Sequence, residues 1–482
     1  MGPEGEGSHD RHACCFRAVY MLSILAFLAV AAADVGPAPL PLDTDPTVRV
    51  LVEQALKNSP DVGRADAAAR AEVDRAPQVG SLPDPTLTLG IQNDGFNGIQ
   101  IGTMETSYWQ VMLTQPIPWP GKLSARSATA RAQASVAAGE TARLRLATTA
   151  EVERAYVDLC LVRGQIGILA KLEVLWNEAE VMARTRYEVG QGAQSDLLRA
   201  QLERTRLRQR RVALEGEERT RLQALNRLRV HPLDEPVSTQ RPLAAFSDPA
   251  LRSADIAVAD AEQRSPDLAI AALAVQAADR RVDSARKDWF PDFAVTAGVM
   301  PRGSIEPMWT VQLGITLPVW GATKQSRGVD ESQSRREADL RGEEAIRLLV
   351  QLRAQERRTL LSAALQTLDI YRGGILVQSD AAVRSTMTQY QVGKVTFPSV
   401  LEVLRGLVVD EGGYLDALAA TQKLAIADRE VSLAPPDGLS AGGSAGSMPG
   451  AASVSTGGRA SASSGLPQPA AVPAASGMSS GM

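Results

Sequence analysis

The sequence predicts a mainly α-helical chain that carries a small, membrane-facing β portion. Three observations predict it. The chain is written twice, each copy contains a proline-free helical stretch far longer than an ordinary domain is wide, and four short alternating strands have most of the tryptophans gathered around them. Composition agrees. Only twenty aromatics (six Trp, seven Tyr, seven Phe) occur among 482 residues, too few for a large compact core and suited to an extended Ala- and Leu-rich helical body.

From the N-terminus, the apolar run 18–30 follows Arg11 and Arg17 and precedes Ala31-Ala32-Ala33. A spanning helix needs about 20 apolar residues, so this shorter run reads as a secretory signal peptide over 1–33, followed by an extension over 34–46. Cys14 and Cys15 precede the apolar run, so neither borders the cleavage site as an acylated cysteine would. The final segment, 434–482, reduces to Ala, Gly, Ser and Pro, and its composition predicts disorder.

Between them lie two copies, over 47–250 and 251–433. Ser59-Pro60-Asp61 recurs as Ser265-Pro266-Asp267, Pro83-Asp84 as Pro291-Asp292, Pro118 as Pro318, Gly121 as Gly321, and Tyr187-Glu-Val-Gly190 as Tyr390-Gln-Val-Gly393. The order is kept throughout, and the period is far longer than that of solenoid repeats. Each copy opens with a moderate helix (about 64–76 and 267–287). Two strands follow, at about 85–91 and 107–116 in the first copy and 292–299 and 308–317 in the second. Long helices then run over 122–186 and 323–389, end at tips over 187–195 and 390–396, and return over about 196–229 and 397–431. A helix of about 65 residues is a rod of roughly 100 Å. Val152, Ala155, Leu159, Val162, Ile166 and Leu169, and in the second copy Leu361, Ala364, Leu368, Tyr371 and Ile375, repeat at spacings of three and four, the seam of an antiparallel coiled coil.

The strands alternate. Trp309, Val311, Leu313, Ile315 and Leu317 share one face against Thr310, Gln312, Gly314 and Thr316, and Leu87, Leu89 and Ile91 stand against Thr86, Thr88 and Gly90. A soluble sheet alternates in the same way, so tryptophan placement decides. Trp109, Trp119, Trp289, Trp309 and Trp320 lie in or beside the strands, as the aromatic girdles of a membrane barrel do; only Trp176 lies elsewhere. Four strands cannot close a barrel, and open edges are not tolerated in lipid, so the barrel must close between chains.

Chemistry is sparse. The formal charge of −4 argues against nucleic-acid binding. Three His and three Cys, of which only His231 and Cys160 follow the leader, exclude zinc, iron–sulfur, c-type haem and histidine-dependent triads. No catalytic residue, cofactor or metal ligand is assigned. His231 reads as a cap or solvated group, Cys160 as core, the arginine-rich run 204–211 as a solvated helix face, and Met104, Met112, Met300 and Met308 as gap-fillers.

Taken together, the duplication, LPDP (82–85), PIPWPGKL (116–123) and the turns YEVG (187–190) and YQVG (390–393) resemble the TolC-like family of outer-membrane efflux ducts over about 47–432; PWPGKL resembles its heavy-metal resistance–nodulation–division branch. The resemblance implies a homotrimer in the outer membrane of a Gram-negative bacterium, with a shared twelve-stranded barrel continued by a helical tunnel, an α-barrel, across the periplasm. It implies a passive exit duct that is no enzyme and works with a periplasmic adaptor and an inner-membrane pump, or alternatively a duct for type I protein secretion. A non-pore periplasmic coiled-coil scaffold is the reading outside the family. By position in the family, Tyr187, Gly190, Asp196, Tyr390, Gly393, Ser399 and Glu402 form the tip that gates the tunnel and docks the adaptor. Tyr390 and Asp196 keep a tyrosine link of the family's latch, but its arginine position is Val395 here. A three-fold axis would gather Asp196 and Glu402 into carboxylate rings.

Overall fold

The computed structural model describes residues 41–435. The expected leader, residues 34–40 of the extension and residues 436–482 of the tail lie outside the described residues. Two short helices, α1 (Pro46–Asn58) and α2 (Pro60–Gly80), lead into strands β1 (Thr86–Gln92) and β2 (Tyr108–Ile117). The rod α3 (Lys122–Glu188) and its return α4 (Gln194–Arg229) complete the first copy. The second repeats the order: α5 (Ala254–Arg264), α6 (Pro266–Lys287), β3 (Asp292–Arg302), β4 (Ile305–Thr316), α7 (Gln325–Ile370), α8 (Leu376–Gln391) and α9 (Phe397–Glu430).

The repeated Ser-Pro-Asp has a local cause. In each copy the serine is the N-cap that ends one helix and starts the next: Ser59 Oγ accepts from the Val62 N–H and Ser265 Oγ from the Leu268 N–H, at 3.4 and 3.2 Å. The proline takes the first helical position, where no N–H is needed, and the aspartate sits in the first turn, where the helix dipole favours it. This cap splits each expected moderate helix from a shorter preceding one, α1 or α5.

The second rod differs from the first. The expected single helix over 323–389 is interrupted by a π-helical turn at Tyr371–Ile375. There, Tyr371 crosses α9 at Gly413, where any side chain would run into its hydroxyl, and Arg372 pairs with both carboxylate oxygens of Asp248 and donates to the Tyr414 hydroxyl at 3.1 Å. The bulge therefore fits the rod over a glycine and ties it to the segment between the copies.

The four strands form one antiparallel sheet in the order β1-β2-β3-β4, leaving β1 and β4 as its edges. The second hairpin is tighter than the gap 300–307 between the two expected strands: Arg302 pairs with Ile305 across Gly303-Ser304, with a register irregularity between Met300 and Arg302. Gly303 has φ +69°, and its Cα side packs on Gly102 of the first hairpin loop, so the turn has both the backbone and the closeness that glycine permits.

Helix packing has the same order as the strands. Next to the sheet, α2 packs on α3, α3 on α6 and α6 on α7; toward the tips, α4 packs on α3, α3 on α9 and α9 on α8. Two large cores hold these layers, beside a smaller cluster of Ala261, Val350, Ala354 and Val431. One, at the waist, gathers Leu51, Tyr156, Leu159, Cys160, Leu225, Phe246, Leu368 and Ile426; the other, toward the tips, gathers Leu172, Trp176, Ala183, Val383, Tyr390, Phe397 and Leu404. Val152, Leu159, Val162 and Leu169 of the predicted seam are buried, and burial pushes the Cys160 thiol up to about 12, which makes it an inert core group. His231 lies against Glu235, its Nδ1 2.9 Å from the carboxylate, just past the end of α4. Ser265→Ala should lower stability by about 1 kcal/mol, read as a fall in melting temperature, whereas Ser265→Asp should keep most of it because the carboxylate also caps.

Candidate functional site

Two regions, at opposite ends of the rods, combine exposed apolar surface with specific polar contacts. The first is the sheet. Its register aligns Leu87, Leu113, Ala297 and Val311 in one row and Leu89, Val111, Val299 and Trp309 in the next. The opposite face carries Thr86, Thr114, Thr296 and Gln312, then Thr88, Met112, Gly298 and Thr310. Thr114 and Thr296 share a hydrogen bond of 3.0 Å on this polar side. None of the buried apolar residues belongs to a strand; Leu89, Val311 and Leu313 are 65–69% exposed and Trp309 is 77% exposed. A soluble sheet would cover such a face, because each buried Leu or Val side chain contributes about 1.5–3 kcal/mol.

The tryptophans fall into two groups. Trp109 and Trp309 lie toward the hairpin ends, and Trp119, Trp289 and Trp320 lie where strands meet helices. From Trp309 to Leu317 an extended chain covers about 27 Å. After the tilt usual in barrels this is close to the apolar band of about 25 Å that spans an outer membrane. The three strand methionines, Met112, Met300 and Met308, all lie on the Thr/Gln face, where Met112 fills the space over Gly298.

The junction between sheet and helices explains PIPWPGKL. Trp119 stacks on Phe290 and Phe293 at 5.3 and 5.7 Å between centroids. Its backbone N–H donates to Asp292 at 2.9 Å, and Lys122, 5% exposed, pairs with the same carboxylate at 2.9 Å. The motif of the first copy is thus received by Phe290-Pro291-Asp292-Phe293 of the second. Composition and spacing could not reveal this contact, because its partners lie 170 residues apart in sequence.

The second region is the tip. Both rods end in one geometry. Gly190 has φ +74° and Gly393 φ +79°; the Gln191 N–H reaches the Arg186 carbonyl at 2.8 Å, and the Lys394 N–H reaches the Gln389 carbonyl at 2.9 Å. These are Schellman caps, and the left-handed backbone is why glycine ends both Tyr-x-x-Gly turns.

The two tyrosines then part. Tyr187 is 44% exposed, whereas Tyr390 is 2% exposed and packs tilted against Phe397, with 5.5 Å between ring centroids. Arg186 spans the two turns. Its guanidinium lies 5.0 Å from the Tyr390 ring centre and donates to the carbonyls of Tyr390 and Gln191 at 2.5 and 3.3 Å. A side chain at Gly393 would crowd that guanidinium. The cation of the tip therefore comes from the first turn, and Val395, at the position where the family pattern has arginine, packs instead against the core around Tyr390. The signal in the sequence was the difference between copies, Arg186 against Gln389, just before the repeated tyrosine.

The expected Tyr390–Asp196 link does not form as a hydrogen bond: the Tyr390 hydroxyl is buried without a partner. Burial raises its pKa, the charge of Asp196 raises it further, and Arg186 opposes both. Asp196 sits partly buried in the first turn of α4, Ser399 in the first turn of α9, and Glu402 is exposed further along α9. Behind the tip, Glu180 is held by Arg204 and Arg184, so Arg204 of the run read as a solvated face is a structural tie between α3 and α4. The hydrogen bond from Arg204 is the main reason the Glu180 carboxyl titrates below the usual range.

The profile of the family described as Outer membrane efflux protein matches residues 51–230 and 257–429, most of the chain and one stretch in each copy. The chain belongs to that family. No curated protein sequence matches it. The fold is similar to that of the outer-membrane channel OprN (20% identity, TM-score 0.69, covering 81% of this chain and 90% of that one). It is also similar to CusC (16%, 0.69, 82% and 97%) and to VceC from Vibrio cholerae (15%, 0.67, 80% and 95%). Of these neighbours, OprN is described as an outer-membrane channel, and the CusC structures describe transmembrane channel formation.

Arg186→Ala should cost about 1–3 kcal/mol of tip stability, since it removes charge-assisted hydrogen bonds. Hydrogen exchange should rise around 186–198 and 389–400, and Arg186→Lys should restore only part of the protection. The depressed Glu180 pKa stabilises the fold at neutral pH; that contribution is lost as pH falls below the unfolded carboxyl's value of about 4.3 and through the lower folded one. A Glu180→Gln variant should melt lower at pH 7 and show a flatter loss of stability on acidification.

Proposed function

We propose that this protein is the outer-membrane exit duct of a tripartite efflux system. Three copies close one twelve-stranded barrel and one helical tunnel, and substrates such as heavy-metal ions or small toxic compounds pass through without catalysis. The observation that carries the reading is the sheet: an uncovered apolar face, aromatic groups at both of its margins, and open edges on β1 and β4. In lipid the apolar face is solvated by acyl chains and the edges must pair with neighbouring copies. The Thr/Gln face then lines the pore.

The tip is the gate. Arg186 clamps the two turns of one chain, while exposed Tyr187, Val189 and Val392 offer the surface on which a periplasmic adaptor docks. Asp196 and Glu402, repeated around the axis, attract cations at the entrance. An inner-membrane pump supplies the energy, because the duct has no chemistry of its own.

The test separates the two faces of β4. Val311→Arg with Leu313→Arg should prevent insertion, since each mid-membrane arginine costs about 2–4 kcal/mol on a lipid face. Thr310→Arg with Gln312→Arg should insert and change single-channel conductance. Equal behaviour of the two pairs, scored by outer-membrane fractionation and bilayer recording, would remove the barrel reading.

A further inference from the structure

Thioether sulfur is concentrated in and beside the sheet. Four of the six methionines between residues 41 and 435 (Met104, Met112, Met300 and Met308) lie in the strands or in the first hairpin loop. Three of them share one face. Met300 and Met308 are direct partners across β3 and β4, and Met112 pairs with Gly298, the next position of β3 on that face. Side chains directly opposite each other stand about 4.5–5.5 Å apart at Cβ and diagonal ones about 7–8 Å, within reach of long stems. The β2–β3 register, continued by one step, sets Gln110 beside Met300, and the Gln110 amide donates to the Met112 sulfur.

Gap-filling accounts for only part of this. Met112 covers Gly298 and has a packing role. Met300 and Met308 have no core to fill, since no strand residue belongs to the buried apolar set and Met308 is 37% exposed. On the lipid face a methionine would be ordinary. These stand instead among Thr, Gln and Gly, on the face that lines the pore of the proposed duct. A long apolar side chain on a water-facing surface needs another reason, and a thioether has one: it is a soft, polarizable ligand that prefers soft metal ions to hard ones. The surroundings agree. The two rows concerned, Gly90, Gln110, Met300 and Met308, then Thr88, Met112, Gly298 and Thr310, hold no imidazole, thiol or carboxylate, so divalent ions lack their usual ligands there. Glu306 falls between Met308 and Ile305, inside the register irregularity, where its carbonyl accepts from Arg302 Nε at 2.7 Å.

We infer that Met300 and Met308, with Met112 beside them, form a binding site for a soft monovalent cation of the Cu(I) or Ag(I) class. The inference rests on the pore assignment of this face and gives the cargo of the duct a chemical class. The site lies in the hairpin half of the sheet, with Met308 next to Trp309, and so at the end of the passage away from the helices. Neutral thioethers hold such an ion without neutralising its charge. That suits a duct, in which binding must be weak enough for the ion to leave.

Silver binding to the purified full chain, in detergent and chloride-free buffer, tests the site. Met300→Leu with Met308→Leu conserves volume and so the fold. It should weaken Ag(I) binding by about tenfold or more, because the soft ligands are gone. Met182→Leu with Met387→Leu, the same change made in the rods, should leave that binding unchanged, and excess Zn(II) should not displace the silver. Cys160 is common to both proteins and cancels in the comparison. Single-channel recording then separates the site from the duct: added Ag(I) should reversibly reduce the current of the unsubstituted protein and spare that of the Met300→Leu, Met308→Leu variant. Equal silver affinity of the two double variants, in protein that still conducts, would overturn the site and leave the duct standing. Binding that depends on Met300 and Met308 but leaves the current untouched would keep the site and remove it from the passage.

Discussion

An apolar sheet face that nothing in the chain covers is the constraint from which the rest follows. Leu87, Leu89, Val311, Leu313 and Trp309 together would be costly in water, and the helices do not fold back over them. The face therefore needs a hydrocarbon solvent, and hydrocarbon in turn forbids unpaired strand edges. The proposed closure between copies answers both demands. The rods are then aligned as continuations of the strands, since α2, α3, α6 and α7 each adjoin one strand end and pack in the strand order.

The junction below the sheet converts one geometry into the other. A strand must become a helix within a few residues, at the boundary of the apolar band, with a charge nearby. Pro118 and Pro120 end the pairing, Gly121 takes φ +93°, and Lys122 is buried only because Asp292 neutralises it. Trp119 fills the space between two phenylalanines. At the far end the problem is different: two rods must stop together. Closely matching glycine caps stop them, and an arginine over a buried tyrosine joins them, an interaction of moderate strength.

Duplication does not make the copies equal. The first rod is continuous over 67 residues, whereas the second contains the π turn over Gly413 and the Arg372–Asp248 tie. Tyr187 is exposed where Tyr390 is core. Such differences let a two-fold repeated chain place unlike surfaces on either side of each layer.

Much was legible in the sequence because it is written in local periodicity. Absence of proline sets the rods, three-four spacing sets Val152 to Leu169 as a seam, alternation sets the strand faces, and the repeated Tyr-x-x-Gly marks both tips. These features depend on neighbours within a few residues, so a linear reading captures them. The tight Gly303-Ser304 turn, the π bulge, the Lys122–Asp292 pair and the Arg186–Tyr390 contact were not legible in that way. Each is a meeting of segments far apart in sequence, and its chemistry exists only once packing fixes distance, burial and charge. The sequence by itself determined which elements form and which faces are apolar. Tertiary structure decided which of two equivalent tyrosines is buried and which arginine serves it, because burial is a property of the packed assembly of helices and not of a position in the chain.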